Sequence, residues 1–406
     1  MRNLIFLLAA GLASAQSGSV ADATFEGRPA ILLSNSNLEL TVTVQGATLS
    51  RLVLKDDPEH LSPLWDPGQY PPAAGGRGAG FGAPDGGVPA RGPQAGRGGG
   101  NGVNGHFVAV DGFGQPSAED RAAGLPQHGE AHVTSMDIKS GREGQVAFVS
   151  MTGKLPIMQE QFTRTFRMVD GENAIYVDSQ LDNLLGFDRP VNWAEHATLG
   201  SPFLEPGAVV VDFSASRSHT RNVPMANSGG RGGGDRRLHS DQDFTWPNAP
   251  GLDGSTVDLR GVPDSPHFTD HSATLMDLSK PLAWATAINI KKNLVVGWVF
   301  RTTDYFWIQN WNSFPSSGRL ARGLEFSTQP YDVPRREVLS APPLFGAPVY
   351  RWLTAKGKLE SHFLVFFAHA PSGFSKVDDL RFENGSIILE DKGAGKKITL
   401  AASRGL

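Results

Sequence analysis

The chain has 406 residues, 39% hydrophobic and 19% charged, with 48 glycines and 28 prolines, the composition of a globular protein carrying glycine-rich insertions rather than of a disordered chain. Its net charge of −4 supplies no global positive field, so neither nucleic acid nor an anionic membrane surface is an expected partner. Zero cysteines exclude disulfides, thiol nucleophiles and thiolate or iron–sulfur sites, leaving carboxylates, imidazoles, hydroxyls or a bound cofactor to carry any chemistry.

Met1-Arg2-Asn3, the apolar run Leu4 to Leu12 and Ala13-Ser14-Ala15 have the order of charge, apolar segment and small-x-small cleavage pattern found in secretory signal peptides. Residues 1–15 are therefore expected to be removed before Gln16, and the protein to be secreted or periplasmic. No later stretch is apolar enough for a membrane helix. Next, Leu38, Leu40, Val42 and Val44 alternate with polar residues, Gln45-Gly46 punctuates, and Leu49, Leu52 and Leu54 follow, which predicts two strands joined by a turn. Strand-length apolar runs recur at Val146–Ser150, Phe162–Met168, Ala174–Ser179, Val209–Phe213, Trp284–Ile288, Leu294–Phe300, His362–Phe367 and Ser386–Leu389. No long segment carries the 3.6-residue stripe of an amphipathic helix, so a regular alternation of strand and helix is excluded and an all-β, large antiparallel sandwich is predicted. The gly-rich stretches 71–105 and 227–237 read as flexible insertions between strands. One domain over 16–406 is expected; the competing division places a small β-module after Ser375.

Three islands combine titratable residues with aromatic and Gly/Pro punctuation: Asp111 to His132, Asn192 to Gly207, and Trp307 to Asn312 leading on to Arg322–Pro330. Imidazole titrates nearest neutrality, so His196 is a candidate proton donor to an oxygen and Glu325 a candidate base. Opening a sugar hemiacetal needs such a pair, an acid at the ring oxygen and a base at the anomeric hydroxyl, on opposite sides of one sugar. Trp193, Trp307 and Trp311 are candidates either for stacking on a pyranose or for the core. His128 and His132, like His267 and His271, are four residues apart, but on a strand that spacing separates them by about 13 Å, too far for one ion. No metal and no other cofactor is expected. No G-x-S-x-G nucleophile elbow occurs, while paired-carboxylate glycosidase chemistry among Glu130, Glu195 and Glu325 stays open.

With these islands in place, the chain resembles the aldose 1-epimerase (galactose mutarotase-like) family. Asn37 to Leu49 is similar to the family's first hairpin, Pro126-Gln-His128-Gly129 to its first histidine motif, His196 with Pro202-Phe203-Leu204 to its second, and Gly323-Leu-Glu325 with Gln329-Pro330 to its base motif. The resemblance implies a mutarotase-like supersandwich that interconverts α and β anomers of a free sugar, with His196 as general acid and Glu325 as base. It implies substrate contacts from His128, Gln309, Trp311 and Asp270, the last in an Asp-His pair. Asn101-Gly102 stands where the family usually has Asn-Arg, which leaves Arg121 as the arginine for sugar recognition. Two alternatives stay open: the same sandwich holding a carbohydrate without catalysis, and lyase or hydrolase action on a polysaccharide, since related sandwiches occur in such enzymes.

Overall fold

A computed structural model describes residues 18–69, 103–222 and 235–406. The expected signal segment 1–15, Asn101-Gly102 and most of both glycine-rich insertions lie outside the described residues. The predicted first hairpin forms as Leu38–Thr43 paired antiparallel with Thr48–Leu54. The other predicted apolar runs are all strands, assembled into antiparallel sheets of thirteen, eight, three and two strands among the described residues. Helix is confined to short pieces such as Ala118–Ala122 and Arg335–Ser340. The architecture is a large antiparallel β-sandwich.

The two large sheets face each other across one apolar interior. Val108, Leu324 and Phe326 from the thirteen-stranded sheet meet Phe162, Phe166, Phe363 and Val365 from the eight-stranded one, all essentially inaccessible to solvent. Strands that keep one face toward solvent show strict alternation, as in Val146–Leu155 and Glu160–Val169, because successive side chains point to opposite sides of a strand. Leu294–Arg301 shows none, being buried over its first seven residues. The cause is a third layer: the meander Asp379–Glu383, Ser386–Asp391 and Lys396–Ala401 lays Leu380, Ile387, Leu389 and Ile398 against Trp284, Val295, Val299 and Phe366 on the outer side of the eight-stranded sheet. The segment after Ser375 thus shares a core with the sandwich, and the Asp212 carboxylate accepts the Val377 backbone N–H at 2.9 Å.

Between the large sheets lies a polar knot. The fully buried Glu195 carboxylate accepts from Arg164 at 2.5 Å, from the Trp193 indole at 3.1 Å and from the Tyr305 hydroxyl at 3.0 Å, and His106 Nε2 lies 3.1 Å from it. Trp298 donates to His106 Nδ1 at 3.2 Å, so the imidazole hydrogen sits on Nε2 and points at Glu195. Arg164 and the other donors hold the Glu195 pKa below the usual carboxylate range against the opposing effect of burial, the largest single influence on it.

Candidate functional site

The strand Trp193–Gly200 lies between His106–Val110 and Ala321–Ser327, antiparallel to both. Its register sets His196 directly opposite Phe107 on one side and Glu325 on the other. Glu325 in turn opposes Gln309, and Trp311 opposes both Gly323 and His271. Directly opposed residues share a face, so His196, Glu325, Gln309, Trp311, Phe107 and His271 all lie on one side of the thirteen-stranded sheet, away from the sandwich interior. The odd–even alternation that sends Glu195 into the core sends His196 out to this face.

His196 Nε2 lies 3.1 Å from Glu325 Oε1. The imidazole stacks on Phe107 with ring centroids 4.4 Å apart, and meets Phe113, His128 and Trp311 edge-on at 6.1, 5.5 and 6.1 Å. Burial drives the His196 pKa down to about 3, with His106 adding to the shift, and drives Glu325 up to about 8 against the opposing field of Arg221. Both shifts favour the neutral forms of the pair, a carboxylic acid beside an unprotonated ring nitrogen with one proton between them. The expected placement of the two groups on opposite sides of a sugar does not match this geometry, in which they touch.

His128 reaches this cluster through an unusual backbone. Its φ is +65°, and the next residue, Gly129, has φ +77° with a would-be Cβ only 2.1 Å from the Val110 carbonyl oxygen. Only glycine lets the chain press against the edge of the His106–Val110 strand. The His-Gly dipeptide thereby delivers His128 to His196, while the short turn Ala131–Val133 brings His132 to 6.1 Å from His128, ring to ring. This corrects the wide separation expected from a strand. Among the described residues, no group of three or more His, Asp or Glu side chains is arranged to hold a metal ion.

On the far side of Glu325, the Gln309 amide donates to the Ser327 hydroxyl at 3.3 Å and the Gln329 carbonyl at 3.0 Å, so its oxygen is free to accept from His271 Nε2 at 2.8 Å. His271 Nδ1 then accepts from Arg221 at 2.9 Å, and Arg221 is ion-paired with Asp332. Three expected residues, His128, Gln309 and Trp311, thus surround the His196–Glu325 pair. Asp270 does not: it faces the sandwich interior opposite Asn312 and bonds Arg237 at 2.6 Å, and its neighbour His271 occupies the site face instead. Arg121 stands exposed on the helix Ala118–Ala122 and joins none of the contacts that knit the cluster. Trp193 and Trp307 are core residues, the latter donating to the Pro348 carbonyl at 2.9 Å. Glu130 holds the backbone N–H groups of Ile157 and Met158 at 3.1 and 2.8 Å. Phe107, Phe113, Thr198, Arg221 and Asp332 belong to the site without any sequence motif marking them.

No protein-family model and no curated protein matches the sequence. Solved structures do resemble the chain. A galactose mutarotase-like protein from Clostridium acetobutylicum superposes with a TM-score of 0.52 at 12% identity, over 87% of this chain and 99% of its own. The galactose mutarotase related enzyme of Lactobacillus acidophilus gives 0.53 at 10%, over 84% and 99%. A candidate aldose 1-epimerase from Klebsiella pneumoniae gives 0.55 at 13%, over 87% and 88%. The fold is the galactose mutarotase-like sandwich. In this mutarotase-like sandwich, the His196–Glu325 cluster occupies the outer face of the larger sheet.

Proposed function

We propose that the protein interconverts the α and β anomers of a free sugar by general acid–base ring opening. The observation that carries this reading is the contact between His196 and Glu325, two groups whose shared proton gives the pair one site that can donate and one that can accept. Ring opening requires a proton delivered to the ring oxygen as the C1–O bond breaks and another removed from the anomeric hydroxyl as the carbonyl forms. One proton is given and one taken, so the pair's total is unchanged and the same pair recloses the ring after C1 rotates. Transfer of the shared proton from Glu325 to His196 arms them in the roles that the resemblance implies. Each such group is worth roughly 10²–10⁴ in rate, ample for a reaction that already proceeds in water. In this reading Trp311, 6.1 Å from the His196 ring, stacks on an apolar sugar face and His128 meets a hydroxyl.

Polarimetry on freshly dissolved α-glucose and α-galactose, followed by a panel of other sugars, tests this directly. Failure to accelerate mutarotation of any of them removes the reading. The closed gap between His196 and Glu325 favours a second reading, carbohydrate binding without turnover, which binding in the same panel without acceleration would establish. We also propose export, on the strength of residues 1–15; a mature protein beginning at Gln16 supports it, and one retaining Met1 refutes it.

A further inference from the structure

We infer that Thr198 is a positioning residue that fixes which nitrogen of His196 exchanges protons: its hydroxyl oxygen accepts the Nδ1 hydrogen and thereby reserves Nε2 for Glu325. The catalytic consequence rests on the mutarotase reading above; the protonation pattern itself does not.

His196 and Thr198 are two apart on the strand Trp193–Gly200 and therefore share a face. Thr198 Oγ1 lies 2.8 Å from His196 Nδ1, and the same hydroxyl is 3.4 Å from the His196 carbonyl oxygen, to which it can donate its own hydrogen. On the other side of the ring, Nε2 faces Glu325 Oε1 at 3.1 Å. Only two neutral-imidazole arrangements are open. If the threonine donated to Nδ1, the ring hydrogen would sit on Nε2 and the facing oxygen would have to be an acceptor. That arrangement favours an ionised carboxylate beside an uncharged ring, in a cage of Phe107, Phe113 and Trp311 where the Glu325 side chain is only 2% exposed. A buried charge without a contacting counter-ion is costly. If Nδ1–H donates to the threonine, the Nε2 lone pair accepts the carboxyl hydrogen and the cage holds no net charge. The apolar surroundings select the second arrangement. Thr198 then orients the His196 imidazole as the third member of a catalytic triad does, but with a neutral hydroxyl in place of a carboxylate.

Thr198→Val keeps the shape of the buried side chain and removes the acceptor; Thr198→Ser keeps the acceptor. In protein labelled with ¹⁵N-histidine, NMR at neutral pH is expected to show His196 with hydrogen on Nδ1 and a lone pair on Nε2. The valine variant is expected to move hydrogen toward Nε2 and to lower kcat by about tenfold to a hundredfold with KM nearly unchanged, and the serine variant to recover most of that loss. A wild-type spectrum with hydrogen on Nε2 and bare Nδ1 overturns the assignment, as does a valine variant with unaltered protonation pattern and rate. If the valine variant does not fold, the wild-type spectrum alone decides. If the wild-type protein accelerates no sugar, the mutarotase reading falls while the NMR result still decides the role of Thr198.

Discussion

His196 and Glu325 are cross-strand neighbours whose Nε2 and Oε1 atoms lie 3.1 Å apart, although 129 positions separate them in the chain. Their adjacency makes them a single proton-sharing unit. Glu325→Gln keeps the size of the side chain and removes the base, so kcat is expected to fall by roughly 10²–10⁴ with sugar affinity within about tenfold. His196→Asn should behave alike, and the double variant should lose little more than the worse single one. Polarimetry and equilibrium binding on the three variants check this; two fully active single variants would remove the pair from catalysis.

The pH profile follows from the same unit. Below about pH 3 His196 gains a second proton for the pair, and above about pH 8 Glu325 gives up the only one. Activity measured as kcat/KM is expected to be level between these limits and to fall on the alkaline side near pH 8. A profile that instead rises through pH 8 would show that the fully deprotonated pair is the active form.

Gly323 makes room for the Glu325 carboxylate rather than serving an unusual backbone angle. A Cβ at this position would stand 2.2 Å from Glu325 Oε1, so Gly323→Ala must push the carboxylate away from His196. Mutarotation should drop at least about tenfold while the strand Ala321–Ser327 stays formed. Unchanged rates in a folded variant would show that the Glu325 position is not critical.

Stability should weaken in acid partly through His132. Burial lowers its pKa from 6.5 to about 4, only partly offset by the backbone carbonyls of Gly129 and His128. Because the folded value lies below the unfolded one, the associated stability is complete above pH 6.5 and is lost as pH falls toward 4, by up to about 1.4 kcal/mol per pH unit. Urea denaturation at pH 7, 5.5 and 4.5 should show a shallower acid loss in His132→Gln than in the wild-type chain. Parallel losses would assign the acid sensitivity elsewhere.

Glu195→Ala should be among the most damaging substitutions in the fold. It strands the buried Arg164 guanidinium and leaves the Trp193 indole N–H unpaired, while the Tyr305 hydroxyl keeps only its bond to Ser361, a change of about 3–5 kcal/mol. A denaturation midpoint close to that of the wild type would show that the knot is dispensable.

The hydrophobic grain made the sandwich legible, since Val146–Leu155 and Glu160–Val169 carry their alternation openly. His196, Glu325 and His128 were readable as residue types in punctuated islands. Their contacts were not, because contact depends on register between strands distant in sequence. Asp270 shows how fine that dependence is: a shift of one residue exchanges the two faces of a strand, and His271 rather than Asp270 lies toward the site. Arg221 and Asp332 had no sequence signal at all; Arg221 sits beside the site because the sheet brings the end of Arg217–Thr220 next to Phe268–Leu275, and Asp332, from the segment after Ala321–Ser327, is ion-paired with it.

The C-terminal meander has an effect beyond its own packing. By covering the outer side of the eight-stranded sheet with Leu380, Ile387, Leu389 and Ile398, it turns that sheet into a partition, shielded over this central region on both sides. The larger sheet therefore supplies the broad face on which the histidines and carboxylate gather. Substitutions behind the partition should register in folding measurements, whereas those on the His196 face should register in chemistry.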